Sequence, residues 1–260
     1  MIIRQEQMTV FSEKAAQDFE RRMVDHLREN FPFHYSQWGP QTARAIVGFA
    51  TRKAESYGLS TQREICLYLT LLPSLGASFD QNPLLPWATE VLRDSAIRES
   101  RVRIERLVGR AMEFLDACQG KKDERLVEWA TTVKQQWPRM IPEACRGELQ
   151  SGAALLLKKS FPEKFARVPE SALRDLFEEA VGKSQFYEIR SPAGIVVYTA
   201  LLFLLGWRFD EDPQLPTLAQ ILRQPVQPGS GAPKERRLYE AFIALVDRFL
   251  AWKEKGAVNG

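Results

Sequence analysis

Apolar residues recur along this chain at intervals of three and four, and no segment keeps up the strict apolar–polar alternation of a half-buried strand. Stripes of this kind are typical of amphipathic helices that bury one face. We therefore predict an all-α fold. The three clearest stripes are Ile104, Leu107, Val108, Ala111, Leu115 and Cys118; Leu126, Trp129, Ala130, Val133 and Trp137; and Leu238, Phe242, Leu245, Val246 and Phe249.

The sequence also repeats itself without a gap at an offset of 130 positions. Phe31-Pro32 returns as Phe161-Pro162, and LGASFDQNPLLP at 75–86 returns as LGWRFDEDPQLP at 205–216. Matches of Gly, Pro and Phe at one register indicate a shared backbone geometry. We predict a tandem duplication, with two homologous helical halves packed together. The predicted domains are residues 1–120, a helical connector at 121–145, and residues 146–260.

The repeated element predicts a connector between two helices. Its glycines would let the chain leave a helix with a positive φ, its phenylalanines would enter the core, and its prolines would prevent re-entry into the helix. Its aspartates are expected to accept hydrogen bonds from backbone amides of the turn. The structural positions are Gly76, Phe79, Asp80 and Pro83, and their counterparts Gly206, Phe209, Asp210 and Pro213.

A metal site is the alternative for these acidic connectors. Asp80 with Asn82, or Asp210 with Glu211 and Asp212, would supply oxygen ligands for calcium. No twelve-residue ligand loop with its central Gly and terminal Glu follows, so we predict no metal.

Helix starts agree between the halves. Thr61 followed by Glu64 forms a capping-box pattern, and Ser191 followed by Pro192 provides a cap with proline in the first turn. The two halves therefore satisfy the same helix start with different residues.

The composition is typical of a globular protein inside the cell. Hydrophobic residues make up 45% of the 260 and the formal net charge is +3, which fits a globular chain and does not point to nucleic acid. Three cysteines at long spacings suggest reduced thiols, and the N-terminus lacks a secretory pattern, so a cytoplasmic location is expected. The apolar run 194–207 is too short to span a bilayer and predicts a buried helix.

Catalytic signatures do not emerge. The two histidines, His26 and His34, lie outside any zinc motif, and no hydrolase, kinase or dinucleotide pattern occurs in a suitable context. We predict no cofactor and a non-enzymatic role, although missing motifs do not exclude an enzyme. The loop 224–234, rich in Pro and Gly, is expected to be exposed.

Partner contacts are predicted mainly at tryptophans, which are enriched at interface hot spots. Trp38 and Trp87 stand opposite Val168 and Thr217 in the other half, so the shared fold does not require them. The arginines between 98 and 110 either bind an anionic partner or form a salt-bridged surface with the interleaved glutamates. The full set of predicted partner-binding residues is Trp38, Trp87, Trp207, Arg103 and Arg106.

Residues 11–118 carry a set of motifs that resemble one protein family. The motifs are Phe19-Glu20-x-Arg22-Met23-Val24-x-His26-Leu27, Phe31-Pro32, Tyr57-Gly58-Leu59, Glu64-Ile65-Cys66-x-Tyr68, and Leu75-Gly76-x-x-Phe79-Asp80-x-x-Pro83-x-x-Pro86-Trp87-Ala88. The family consists of all-helical bacterial proteins encoded near type VI secretion spike and PAAR-type effector genes. The second half lacks the Tyr-Gly and Pro-Trp pairs.

This resemblance implies an accessory protein that binds a toxin or secretion effector as immunity protein, chaperone or loading adaptor. It brings no catalytic residues with it. The alternative hypothesis is an enzyme or small-ligand-binding protein with a pocket between the two halves. A nucleic-acid binder ranks third, because it would need the arginines of 98–110 to join a second basic patch.

Overall fold

The computed structural model describes residues 5–120, 124–225 and 232–258, and the side chains of 14–120, 124–225 and 232–256. The described residues form twelve α-helices and one short 3₁₀ helix and contain no strand, which confirms the all-α prediction. Most of the loop predicted at 224–234, namely 226–231, lies outside the described residues.

The helices follow one another with short connections. The first five are α1 (Gln5–Asn30), α2 (Pro32–Ser56), α3 (Gln62–Leu75), α4 (Pro86–Arg93) and α5 (Ser100–Gln119), with the 3₁₀ helix at Phe79–Gln81. The remaining seven are α6 (Glu124–Ala144), α7 (Leu149–Ser160), α8 (Pro162–Phe165), α9 (Glu170–Phe186), α10 (Pro192–Leu205), α11 (Pro216–Arg223) and α12 (Lys234–Val258).

Helix bounds correspond between the two predicted halves. Helices α3 and α10 begin and end at positions that differ by 130, as do α4 and α11. Helix α2 is kinked at Gly39-Pro40, and at the equivalent place the chain breaks between α8 and α9. A common origin of the halves stays a prediction, which these bounds support.

Two hydrophobic cores hold the helices together. One core is built from α1–α5, with Tyr68 and Phe79 fully buried, and the other from α6–α12, with Trp137 and Phe209 fully buried. The segment predicted as a connector forms α6, which packs on α7 and α12 in the second core. Helix α10, the predicted buried helix, lies in the centre of that core.

Both predicted helix starts are confirmed. The Thr61 hydroxyl accepts a hydrogen bond from the Glu64 amide at 3.3 Å, and the Glu64 carboxylate accepts one from the Thr61 amide at 2.9 Å. In the other half, Ser191 Oγ accepts from the Gly194 amide at 3.0 Å.

The connectors leave their helices as predicted, with Gly76 at φ +83° and Gly206 at φ +104°, and their phenylalanines Phe79 and Phe209 are fully buried. The prediction for Asp80 and Asp210 was wrong, since neither binds a backbone amide of the turn. That role belongs to residues two positions later: Asn82 Oδ1 accepts from the Leu84 amide at 3.0 Å, and Asp212 Oδ1 from the Gln214 amide at 2.8 Å.

Asp80 instead anchors a buried ion pair. Its Oδ2 accepts hydrogen bonds from Lys53 Nζ at 2.9 Å and Tyr57 OH at 2.7 Å, and its side chain is fully buried. Burial, followed by the hydrogen bond to Asp80, raises the pKa of Tyr57 to about 12. The pair ties the connector to α2 through Oδ2 of Asp80, whereas Oδ1 of the same carboxylate is buried without a hydrogen-bond partner among the described residues.

The same network occurs in the second half. Asp210 Oδ2 accepts from Lys183 Nζ at 2.8 Å and from Tyr187 OH at 2.7 Å. Each carboxylate therefore fixes its connector to the second-to-last helix before it in the same half, α2 or α9.

The connectors of the two halves lie back to back. A Cβ atom placed on Gly76 would lie 2.6 Å from the Leu205 carbonyl oxygen and 3.4 Å from the Gly206 Cα. Beside this contact the Ala77 amide donates to Asp212 Oδ2 at 2.7 Å, and Gln214 Nε2 donates to the Leu72 carbonyl at 3.0 Å. Burial raises the pKa of Asp212 to about 6. Only glycine permits this close approach of the two backbones.

We predict that Gly76→Ala destabilises the protein much more than Gly39→Ala. Both residues have a positive φ with extended ψ, so alanine costs about 1–3 kcal/mol of backbone strain at either position. No atom lies within 4 Å of a Cβ at Gly39, whereas at Gly76 the clash with Leu205 adds about 1–3 kcal/mol. Urea unfolding of both variants measures the difference, and equal losses would contradict the close contact.

We predict a second loss of stability for Asp80→Asn. Asp80 is fully buried and the Lys53 side chain is 25% exposed, so the variant leaves a partly hydrated ammonium without its counter-charge. We expect a cost of about 2 kcal/mol, between the values for exposed and for fully buried pairs. The control is Asp25→Asn, which removes the exposed pair with Arg28 and should cost less than about 1 kcal/mol. Chemical denaturation of the three proteins tests this, and a cost for Asp80→Asn as small as the control's would show that the pair contributes little.

Candidate functional site

A cavity of about 390 Å³ lies where the two cores meet. Phe114 on α5 packs against both cores, and Leu84 and Cys118 from the first half belong to the second core, so this region joins the halves. The cavity is partly open, and Trp252 on α12, 39% exposed, lines it.

The walls come from equivalent positions of both halves. Six pairs of lining residues are related by the same offset of 130 positions. They are Phe31 and Phe161, His34 and Lys164, Ser74 and Leu204, Leu75 and Leu205, Leu115 and Leu245, and Gln119 and Phe249. The space therefore forms where the same parts of the two helical units face each other.

Most of the lining is apolar. Helix α6 contributes Leu126, Trp129 and Val133, all from one stripe, and α12 contributes Phe249 and Trp252. Phe33 packs edge-on against Phe249 with ring centroids 5.4 Å apart. These aromatic contacts form a rigid wall that favours apolar ligand groups.

Two lysines bring positive charge to the lining. Lys164 Nζ donates to the Phe203 carbonyl at 2.6 Å and lies 5.0 Å from the centroid of the Phe203 ring. Burial lowers the pKa of Lys164 to about 8. Lys253 Nζ lies over the rings of Trp252 and Phe249, at 5.6 and 5.8 Å from their centroids. Among the residues that the structure describes, no aspartate or glutamate belongs to the lining.

His34 occupies the position equivalent to Lys164 and packs among the rings of Phe31, Phe33 and Trp38. Burial lowers its pKa to about 4. The imidazole is therefore neutral at pH 7, and the charge of the lining comes from the lysines.

Cys118, also in the lining, is buried, and burial raises the pKa of its thiol. A protonated thiol is a weak nucleophile. The tyrosines of the Asp80 and Asp210 networks lie outside this lining, and burial raises their pKa, so they hold their protons.

The structure places the predicted partner-binding tryptophans mostly inside the protein. Trp38 is buried, and its Nε1 donates to the Gln214 carbonyl of the other half at 3.1 Å. Trp87 is buried against Phe114, and Trp207 packs half-buried on the second core. Trp38 therefore contributes to the junction between the halves, and no exposed tryptophan surface forms from these three.

The predicted arginines do not form a common site with those tryptophans. Arg103 is half-buried and donates to the carbonyls of Tyr57 at 2.8 Å and Ile97 at 2.6 Å, which holds two loops. Arg106 is exposed and lies 3.8 Å from Asp94. Arg101 pairs with Glu105 at 3.2 Å, as the salt-bridged alternative expects.

Sequence reasoning missed Lys164, Lys253 and Trp252 as residues of one cavity. The repeated Phe-Pro pair was a usable signal, because Phe31 and Phe161 both line the space and each lies three residues before His34 or Lys164. On that basis, the residues two positions after each Phe-Pro pair, His34 and Lys164, could have been predicted to line the cavity.

Comparison with known proteins gives no relative: no protein-family model matches the chain, and neither a curated protein nor a solved structure matches it. Among the described residues, no helix combines the length and the apolar character needed to cross a membrane. The same part of the chain holds no cluster of three His, Cys, Asp or Glu side chains arranged for a metal ion.

We predict that His34 makes the stability of the protein depend on pH. Its pKa is lower in the folded than in the unfolded state, so the unfolded chain binds more protons between about pH 6.5 and pH 4. The free energy of unfolding should therefore fall as the pH drops through this window. His34→Phe removes this contribution, so urea titrations should show a smaller fall for the variant, and parallel pH profiles would contradict the assignment.

Proposed function

We propose that this protein is a non-enzymatic binding protein that holds a small apolar ligand in the cavity between its two halves. The observation that carries the proposal is the cavity itself, at about 390 Å³ and with walls drawn from both halves. Ligand sites for small molecules measure roughly 300–1,000 Å³ and are mostly apolar with a few polar groups.

The chemistry of the lining supports binding over catalysis. Acid–base catalysis needs a group that gains and loses a proton near the working pH, placed within reach of a second polar group. Among the described lining residues, His34 stays neutral, Cys118 stays protonated, and no carboxylate is present. Lys164, with a pKa of about 8, does titrate near neutral pH, but its hydrogen bond goes to the Phe203 carbonyl and not to a second acid–base group. What the lining offers is apolar contact area with a cation at Lys164.

A role as accessory factor of a toxin or secretion effector stays a prediction, as does a cytoplasmic location. Trp252 is the residue that favours a protein partner, because it is 39% exposed beside the cavity. A partner covering the cavity would bury this indole together with the adjacent Lys253. Such a complex is compatible with an apolar ligand beneath it.

We predict that the folded protein binds the neutral dye Nile red saturably and that decanol displaces it. Ala130→Phe, which fills the cavity from α6, should weaken dye binding at least about tenfold, a difference of about 1.4 kcal/mol. Fluorescence titration measures both effects.

The matched control is Ala50→Phe. Ala50 is fully buried in the first core and does not line the cavity, so the larger side chain should cost about 1–3 kcal/mol of stability there. Ala130→Phe should cost less, because it grows into empty space. Equal destabilisation of the two variants, or unchanged dye affinity in Ala130→Phe, would rule out a ligand-sized cavity.

A further inference from the structure

The charged groups among the described lining residues are of one sign. Lys164 and Lys253 line the cavity, and no aspartate or glutamate of the described part of the chain does. Within the described part of the chain, neither lysine makes an ion pair. Lys164 donates to one acceptor, the Phe203 carbonyl, whereas an ammonium group has three donors.

We infer that the ligand of this cavity is an amphiphile with a carboxylate head group and an unbranched apolar tail, and that Lys164 binds the head group. The inference rests on the proposed function and deepens it by naming the class of ligand. A carboxylate would provide the counter-charge and the acceptors that Lys164 lacks, while the tail would contact the aromatic wall.

A purely structural role for Lys164 is the competing explanation. Phe203 lies in the last turn of α10, and a cation near a helix C-terminus stabilises the helix. The first half shows that the fold does not require a cation at this position, because the equivalent residue is His34, which packs neutral among aromatic rings. A helix cap alone also does not explain why the described lining residues include no carboxylate.

The shape of the site favours a small molecule over a protein segment. The lining comes from helices of both halves and surrounds a space of about 390 Å³, which suits a single chain of carbon atoms better than a helix or strand. Lys253 brings a second cation to the lining, over the rings of Trp252 and Phe249, which both pack against Phe33.

The test compares decanoate, decanol and decyltrimethylammonium by isothermal titration calorimetry on the full chain at pH 7. We expect decanoate to bind at least about tenfold more tightly than decanol, and the cationic analogue to bind most weakly. This comparison needs no variant, so it does not depend on how a substitution folds.

Variants then assign the head group to Lys164. Lys164→Met should abolish the preference for decanoate over decanol, and Lys164→Arg should keep most of it. The control Lys158→Met, an exposed lysine on α7, should leave the preference unchanged. Thermal unfolding verifies that each variant is folded.

The outcomes separate this inference from the proposed function. If decanol and decanoate bind equally, or if Lys164→Met keeps the preference, the carboxylate assignment is overturned while the apolar binding site stands. If none of the three compounds binds, the proposed function itself is wrong. If a neutral compound binds best, the site selects apolar ligands without a charged head group.

Discussion

The backbone contact between Gly76 and Gly206 decides where the two halves of the molecule meet. Each glycine ends a helix, α3 or α10, whose last residues, Leu75 and Leu205, line the cavity. Because a Cβ on Gly76 would fall 2.6 Å from the Leu205 carbonyl oxygen, no other residue allows this separation of the helix ends. The size and position of the cavity therefore depend on two residues without side chains.

The connectors can make this contact because each is fixed within its own half. Asp80 and Asp210 form the same two hydrogen bonds, with a lysine of α2 or α9 and with the tyrosine that follows that helix. A charge fully removed from water is stable only with such partners. The ion pairs therefore hold each turn rigid, and the glycine contact then aligns two rigid turns.

Much of the fold could be predicted from the sequence because its signals are local. Apolar stripes on the helices, the caps at Thr61 and Ser191, and the helix ends at Gly76 and Gly206 each depend on residues within one or two helical turns.

The partner of Asp80 could not be predicted in this way, because Lys53 lies 27 residues earlier and turn chemistry suggests a nearby amide instead. The repeat did contain a trace of it, since lysine, tyrosine and aspartate recur together at the same offset. A pocket between the halves was among the hypotheses from the sequence, but its lining could not be predicted, because the separation of the helices is set by tertiary contacts. The burial of Trp38 could not be predicted either, because its acceptor, the Gln214 carbonyl, lies in the other half.

The difference between histidine and lysine at equivalent positions affects the orientation of a bound molecule. A pocket built from two identical halves would present the same groups at both ends, and an elongated molecule could enter it in either of two equivalent orientations. Here the neutral ring of His34 stands at one of two equivalent positions and the ammonium group of Lys164 at the other. The charge of the lining is therefore not symmetric, and the two orientations of an asymmetric molecule inside it differ in free energy.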